Sequence, residues 1–234
     1  MYNRRMNIKE AKKNIEIIKE TKDFLLVYKP AGLAVESRSL KEADLEHILR
    51  SFEKKREYLA VINRLDQPVE GLVLFAQSRK AAALLSKQMT EHKMQKEYMA
   101  LVEGVPEKTE RELMDFLVKN GRENRSFVAK EGSEGAKKAR LFYHCVKIEK
   151  GKSLLRIKLY SGRHHQIRVQ LSHAGLPIIG DQKYGYSDTQ EYAMPALCSC
   201  AIGFFDPSSG EKLFFEHMPK GKAFRDFLEK QEDK

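Results

Sequence analysis

Three short segments carry side chains of the types that do chemistry. The first, INRLDQPVEGLVLFAQS (residues 62–78), sets Asp66 two places after Arg64 and just ahead of an apolar run. A carboxylate beside a guanidinium stays ionised, because the opposite charge favours its charged form. An ionised, positioned carboxylate serves as a nucleophile or a base. The plainer alternative is an ordinary loop aspartate in a turn. The second segment is LYSGRHHQIRVQLSHAGLPIIGDQKYG (residues 159–185). Its middle reads as a helix over 164–174, with Ile167, Leu171 and Ala174 toward the core and Arg168 at the edge of that stripe. An arginine there packs its stem on apolar neighbours and can grip a carboxylate through two parallel hydrogen bonds. Arg163 and the first-turn amides would suit a phosphate. An amphipathic helix with solvated basic residues is the bland reading. The third segment, KEYMALVEG (residues 96–104), opens a strand with Tyr98. That ring belongs either to the core or to a cleft where it stacks on a flat base.

Other reactive side chains do not assemble into a site. His164 and His165 are adjacent and so diverge on a helix, and His173 is nine residues on, not the i, i+4 spacing of a metal helix. Cys198 and Cys200 bring two sulfurs with no second pair, so no zinc site is expected. No GxxxxGK[ST] loop is present, which argues against a nucleotide triphosphate site.

The elements that must position these residues follow from hydropathy patterning. Ile8, Ala11, Ile15 and Ile18 fall at helical spacing near the start of the chain. FLLVY (24–28) reads as a buried strand stopped by Pro30-Ala31-Gly32. Residues 40–58 read as a helix with Leu45, Ile48, Leu49 and Phe52 on one stripe. YLAVI (58–62) and GLVLFA (71–76) read as strands around the Asp66 loop. Ser78 caps a helix with Ala81, Leu84, Leu85, Gln88 and Met89 on its buried face. KNGRENRS (119–126) reads as a loop, followed by strands over 141–148 and 154–159. In the latter, Leu155, Ile157 and Leu159 alternate with Arg156 and Lys158, the period of a half-buried strand. Strands and helices without regular βαβ alternation indicate an α+β fold.

The chain has 234 residues, of which 41% are hydrophobic and 32% charged, enough apolar material for a core and too much for global disorder. There is no run of about 18 apolar residues and no secretory h-region, so neither a membrane span nor a signal peptide is expected. Three cysteines, an odd number, fit a reducing cytoplasm rather than a disulfide framework. The formal net charge is +10, and residues 119–163 alone carry 13 basic and 4 acidic side chains. A focused basic stretch of this kind suits a polyanion such as a nucleic-acid backbone.

Taken together, LVYKPAGLAVE (26–36), INRLDQPVEGLVLFAQS, KEYMALVEG and LYSGRHHQIRVQLSHAGLPIIGDQKYG resemble the RluA family of RNA pseudouridine synthases, in order and spacing, over roughly residues 23–215. The resemblance implies an enzyme that isomerises uridine within rRNA or tRNA, with no metal and no organic cofactor. It implies a central, largely antiparallel curved sheet flanked by helices. Residues 23–234 would form the catalytic domain, behind a polar extension at 1–22 too short for the S4-type RNA-binding module many relatives carry. Asp66 would be the catalytic carboxylate, Arg168 its partner, and Tyr98 the ring against the target base. Arg64, Arg163, His165, Gln166 and Ile167 would line the substrate site, Arg64 helping to hold the target nucleotide flipped out. The protein is expected to work as a cytoplasmic monomer with RNA as its partner and no membrane. It departs from the family pattern at Asn63, where a histidine is usual, at Val69-Glu70, where hydroxyl residues are usual, and in CSC (198–200), which lacks a histidine. Those departures keep open a catalytically silent RNA-binding protein of the same fold. A nucleoside hydrolase or glycosidase, the other alternative, would want two placed carboxylates.

Overall fold

In the computed structural model, residues 8–37, 44–51, 57–186 and 191–229 are described, with backbone only for residues 8 and 9. The elements run α1 (Ile8–Asn14), β1 (Glu16–Glu20), β2 (Phe24–Lys29), α2 (Leu45–Arg50), β3 (Ala60–Val61), β4 (Glu70–Ala76), α3 (Arg79–Thr90), β5 (Gln95–Glu103), β6 (Glu110–Asn120), β7 (Arg125–Ala129), β8 (Lys137–Glu149), β9 (Lys152–Leu159), α4 (Gln166–His173), a 3₁₀ turn (Gln182–Tyr184), β10 (Leu197–Phe205), β11 (Lys212–Glu216) and α5 (Lys222–Leu228). The fold is α+β, as expected. Contacts divide the chain into two units: residues up to 95 with 198–220, and residues 96–197 with the tail from 221.

The first unit is built on β4, buried along its whole length. One edge pairs antiparallel with β2, itself fully buried. The other edge is shared: β10 runs parallel at Glu70 and Gly71, and β3 pairs antiparallel at Phe75 and Ala76. Gly71 is needed at that junction. Its φ is +124°, and a Cβ there would stand 2.4 Å from the Ser199 carbonyl oxygen. β1 adds to the outer edge of β2, and β11 to β10, both antiparallel.

The second unit orders its strands β5–β9–β8–β6–β7, all antiparallel. Leu117, Ala139, Val169 and Tyr184 form a core cluster, with Val128 against it, that seats α4 on one face of this sheet. Leu155, Ile157 and Leu159 are buried while Lys158 is exposed, so the alternation read in β9 holds. On the other side, Arg156 pairs with Glu97 at 2.7 Å and Arg140 with Glu112 at 2.7 Å.

Several sequence expectations need correction. The helical spacing of Ile15 and Ile18 does not make a helix there: α1 ends at Asn14, and Glu16–Glu20 is a strand whose pairing with β2 outweighs local pattern. Leu84 does not join the buried face of α3, which Ala81 and Leu85 carry; it is 38% exposed. The helix expected over 40–58 is the six-residue α2, capped by Asp44, with Leu45, Ile48 and Leu49 buried; residues 40–43 and 52–56, with Phe52, lie outside the described residues. The loop over 119–126 is a tight hairpin turn closing β6 and β7, with Asn124 in the left-handed region at φ 47°. The helix expected from His164 begins at Gln166.

Candidate active site

Asp66 lies in the first unit, on the loop between β3 and β4. The chain there alternates as a strand does: Asn63 and Leu65 are buried, Arg64 is exposed and Asp66 half-buried. Asn63 explains the alternation. Its Nδ2 donates to the Leu72 carbonyl (3.1 Å), and its Oδ1 accepts from the Leu74 amide (2.7 Å). It thus pairs with β4 as a peptide would, in the stretch between β3 and β10. The residue that departs from the family pattern is therefore a fold anchor, and it turns its neighbours outward. Glu70 is likewise anchored inward: its Oε2 accepts from the Tyr28 hydroxyl at 2.6 Å and from the Lys220 amide at 3.2 Å.

The loop is gripped from beneath. Lys29, fully buried at the end of β2, donates to the carbonyls of Leu33 (2.7 Å), Pro30 (3.0 Å) and Gln67 (3.3 Å). The Gly32 amide also donates to the Gln67 carbonyl, and the Gln67 side chain returns a bond to the Gly32 carbonyl. The Val69 amide closes a turn onto the Asp66 carbonyl at 3.0 Å. Burial pushes the Lys29 pKa down to about 7, against the pull of Asp66, Glu70 and Cys198.

Tyr98, Arg163, His165, Gln166, Ile167 and Arg168 lie in the second unit. Tyr98 stands on β5, 7% exposed, opposite Ile157 of β9. Ile167 is buried on α4. Gln166 is 3% exposed, and its amide is engaged within the protein. Its Oε1 accepts from the Ser161 hydroxyl and the Arg163 amide, and its Nε2 donates to the Arg140 carbonyl and Gln170 Oε1. Arg163 is exposed, its Nε on the Lys138 carbonyl at 3.0 Å.

Just before α4, His165 adopts a left-handed backbone, φ 54°, uncommon for a residue with a side chain. The conformation is held by its ring. Tyr184 Oη accepts from the Ser126 amide at 2.8 Å and shares a hydrogen bond with His165 Nδ1, also at 2.8 Å. His164 stacks on the same ring at 3.7 Å and is tied to Ser126 and Asn124 of the β6–β7 hairpin. Burial first, then the nearby Arg168 and other cations, pushes the His165 pKa down to about 2, so the ring is neutral. His173 goes elsewhere, to Asp115. Among the described residues no group of three His, Cys, Asp or Glu side chains is placed to hold a metal.

Arg168 is 2% exposed and forms a bidentate pair with the fully buried Asp181: Nε to Oδ2 at 2.6 Å and Nη2 to Oδ1 at 2.7 Å. The residue pattern points Arg168 toward a carboxylate without singling out Asp181, which lies 13 residues on in the same segment. Lys29 was missed too. Its signal was a lysine ending an otherwise apolar strand, FLLVYK, where a solvated position is hard to find.

The sequence profile of the RNA pseudouridylate synthase family matches residues 23–173. Ribosomal large subunit pseudouridine synthase C of Buchnera aphidicola subsp. Schizaphis graminum is 30% identical over 228 residues, 94% of this chain and 72% of that protein. An uncharacterized RNA pseudouridine synthase of Aquifex aeolicus is 31% identical over 90% of this chain and 71% of its own length. Human RNA pseudouridylate synthase domain containing 4 shares the fold, with a TM-score of 0.78 at 19% identity over 95% of this chain and 94% of that one. With a profile match over more than half its length and relatives alike across nearly all of it, the chain belongs to the RNA pseudouridylate synthase family, in its RluA branch, and is an isomerase that converts uridine to pseudouridine in RNA.

Proposed function

We propose that the protein modifies uridines of large-subunit ribosomal RNA in the cytoplasm, with residues 23–234 acting as one catalytic domain and Asp66 as its catalytic carboxylate. The reaction breaks the bond between uracil N1 and ribose C1′ and joins C1′ to C5. C5 gives up a proton and N1 gains one, so no redox step, metal or organic group is needed. Bond breaking leaves positive charge on the sugar, which the Asp66 carboxylate stabilises or captures. Arg168 is assigned as the partner of that carboxylate. Tyr98 lies against the base and handles the C5 proton. Ile167 lines an apolar wall that retains the detached uracil and excludes water, which would otherwise hydrolyse the sugar. Arg64 helps hold the extruded nucleotide, whose unstacking costs a few kcal/mol. Arg163, with His165 and Gln166 shaping the turn that carries it, meets the RNA backbone.

The observation that supports this reading best is the Asp66 loop. Asn63 and Leu65 are drawn into the core, Arg64 and Asp66 are left accessible, and the loop is fastened by Lys29 and Gln67. The relatives named for ribosomal RNA supply the substrate class. The test is Asp66→Asn, assayed by tritium release from large-subunit ribosomal RNA labelled at uridine C5. Turnover should vanish while RNA affinity stays within several-fold of the unmodified protein. Surviving turnover would remove Asp66 from the chemistry; RNA binding without turnover in the unmodified protein would favour the silent binding protein.

A further inference from the structure

The turn between β6 and β7 carries cations that the mechanism above does not use. Residues 119–125 hold Lys119, Arg122 and Arg125 against Glu123 as their one acid. The turn is braced from within: Asn120 Oδ1 accepts from the Arg122 and Glu123 amides at 3.0 and 3.3 Å. It is also fastened to the segments on both sides of α4. The His164 ring bonds through one nitrogen to the Ser126 hydroxyl at 2.8 Å and through the other to Asn124 Oδ1 at 3.1 Å. Lys183 Nζ donates to the Asn124 carbonyl at 3.0 Å, and the Ser126 amide to Tyr184 Oη at 2.8 Å.

Arg125 stands apart within this group. Its Cζ lies 5.3 Å from the centre of the Phe127 ring and 5.2 Å from that of Tyr184, so two aromatic faces hold the guanidinium. Among the described residues its Nε is the one buried side-chain nitrogen or oxygen with no hydrogen-bond partner, and no carboxylate of a described residue pairs with it. Three arginines of the same unit do have a carboxylate: Arg140 on Glu112, Arg156 on Glu97 and Arg168 on Asp181. A buried donor left unmet is costly, so an orphan in a basic setting fits an acceptor that comes from outside the chain. Phe127 is 40% exposed, which leaves the ring-held guanidinium approachable. A phosphodiester matches it in charge and in the geometry of its fork.

We propose that the β6–β7 turn is a clamp for the RNA backbone, with Arg125 as its anchor on one phosphodiester and Lys119, Arg122 and Lys183 supplying the surrounding positive potential. This rests on the reading of large-subunit ribosomal RNA as the substrate. The clamp contributes affinity and not chemistry: it fixes the RNA against unit two while the reaction proceeds elsewhere.

The experiment measures equilibrium binding and steady-state turnover of the full chain on C5-tritiated large-subunit ribosomal RNA across a range of salt. Arg125→Gln removes the charge. Kd and KM should rise about tenfold, with kcat at saturating RNA within about twofold. The slope of log Kd against log salt should shrink by about 0.7–0.9, the share of one phosphate. Lys150→Asn removes one charge from the β8–β9 turn, at the far end of β8 from the Lys137–Leu117 pairing, and should leave Kd and slope as they are. An unchanged Kd or slope in Arg125→Gln, a loss carried by kcat, or an equal loss in Lys150→Asn would overturn the proposal. Should Arg125→Gln fail to fold, nitrogen-15 NMR of the unmodified protein decides: the Arg125 Nε–H signal should move as the RNA is added, and a stationary signal overturns the clamp. Turnover separates the two levels. If the unmodified protein leaves this RNA unreacted, the substrate reading is wrong, and the binding comparison still decides the clamp. If it turns over and Arg125→Gln binds as tightly, only the clamp is wrong.

Discussion

Among the described residues each unit buries one lysine or arginine side chain, and the two do it in opposite ways. Lys29 is satisfied by three backbone carbonyls, with its counter-charges Asp66 and Glu70 acting at a distance. Arg168 is satisfied by a carboxylate in direct bidentate contact. Carbonyl dipoles solvate an ammonium without neutralising it, so burial still drives the Lys29 pKa down to about 7. The difference is one of purpose as well as of energy. Three carbonyls around a compact ammonium knit backbone segments together, here the turn at 30–33 and the residue after Asp66. A fork on a carboxylate fixes the direction of one planar group.

The contrast is broken most forcefully at Arg168. Arg168→Ala leaves Asp181 buried without its guanidinium and should cost about 3–5 kcal/mol in denaturant unfolding, besides slowing turnover. An unchanged midpoint and activity would show that the pair does not matter. Lys29 should behave in a pH-dependent way that Arg168 does not. Between pH 7 and its ordinary value of 10.5, the unfolded chain keeps a proton on Lys29 that the folded protein has released. The unfolded state therefore binds more protons there, and stability rises with pH across that window. The gain from pH 7 to pH 9 should be about 2–3 kcal/mol, and Lys29→Met should lack it. Equal slopes in both proteins would mean that Lys29 stays charged throughout. A smaller effect is expected at Asn63, whose two bonds to β4 replace a strand pairing. Asn63→Ala strands the Leu72 carbonyl and the Leu74 amide and should cost about 1–3 kcal/mol, with turnover reduced through loosening of the Asp66 loop. Wild-type unfolding and turnover in that variant would make Asn63 a bystander.

Much of the fold was legible because hydropathy period reports burial directly. FLLVYK, EGLVLFA and the alternating β9 are strands for the reasons their patterns give, and Ser78 caps α3 as its type predicts. The failures have a common cause. Residues 16–20 carry a helical spacing but became an edge strand, because β2 offered an unpaired edge that local pattern cannot register. Leu84 lies on the expected face of α3, but what covers that face is set by other parts of the chain.

By itself the sequence settled the family and singled out the loop of Asp66, since residue types at fixed spacing are chemistry that needs no coordinates. Tertiary structure alone decided what holds the functional groups. That Asn63 stands in for a strand, that three carbonyls surround Lys29, and that Asp181 is the carboxylate on the side edge of Arg168 all depend on which distant groups are brought within 3 Å. The direction of a buried polar side chain is set by its partners' positions, and those are properties of the folded chain rather than of any segment.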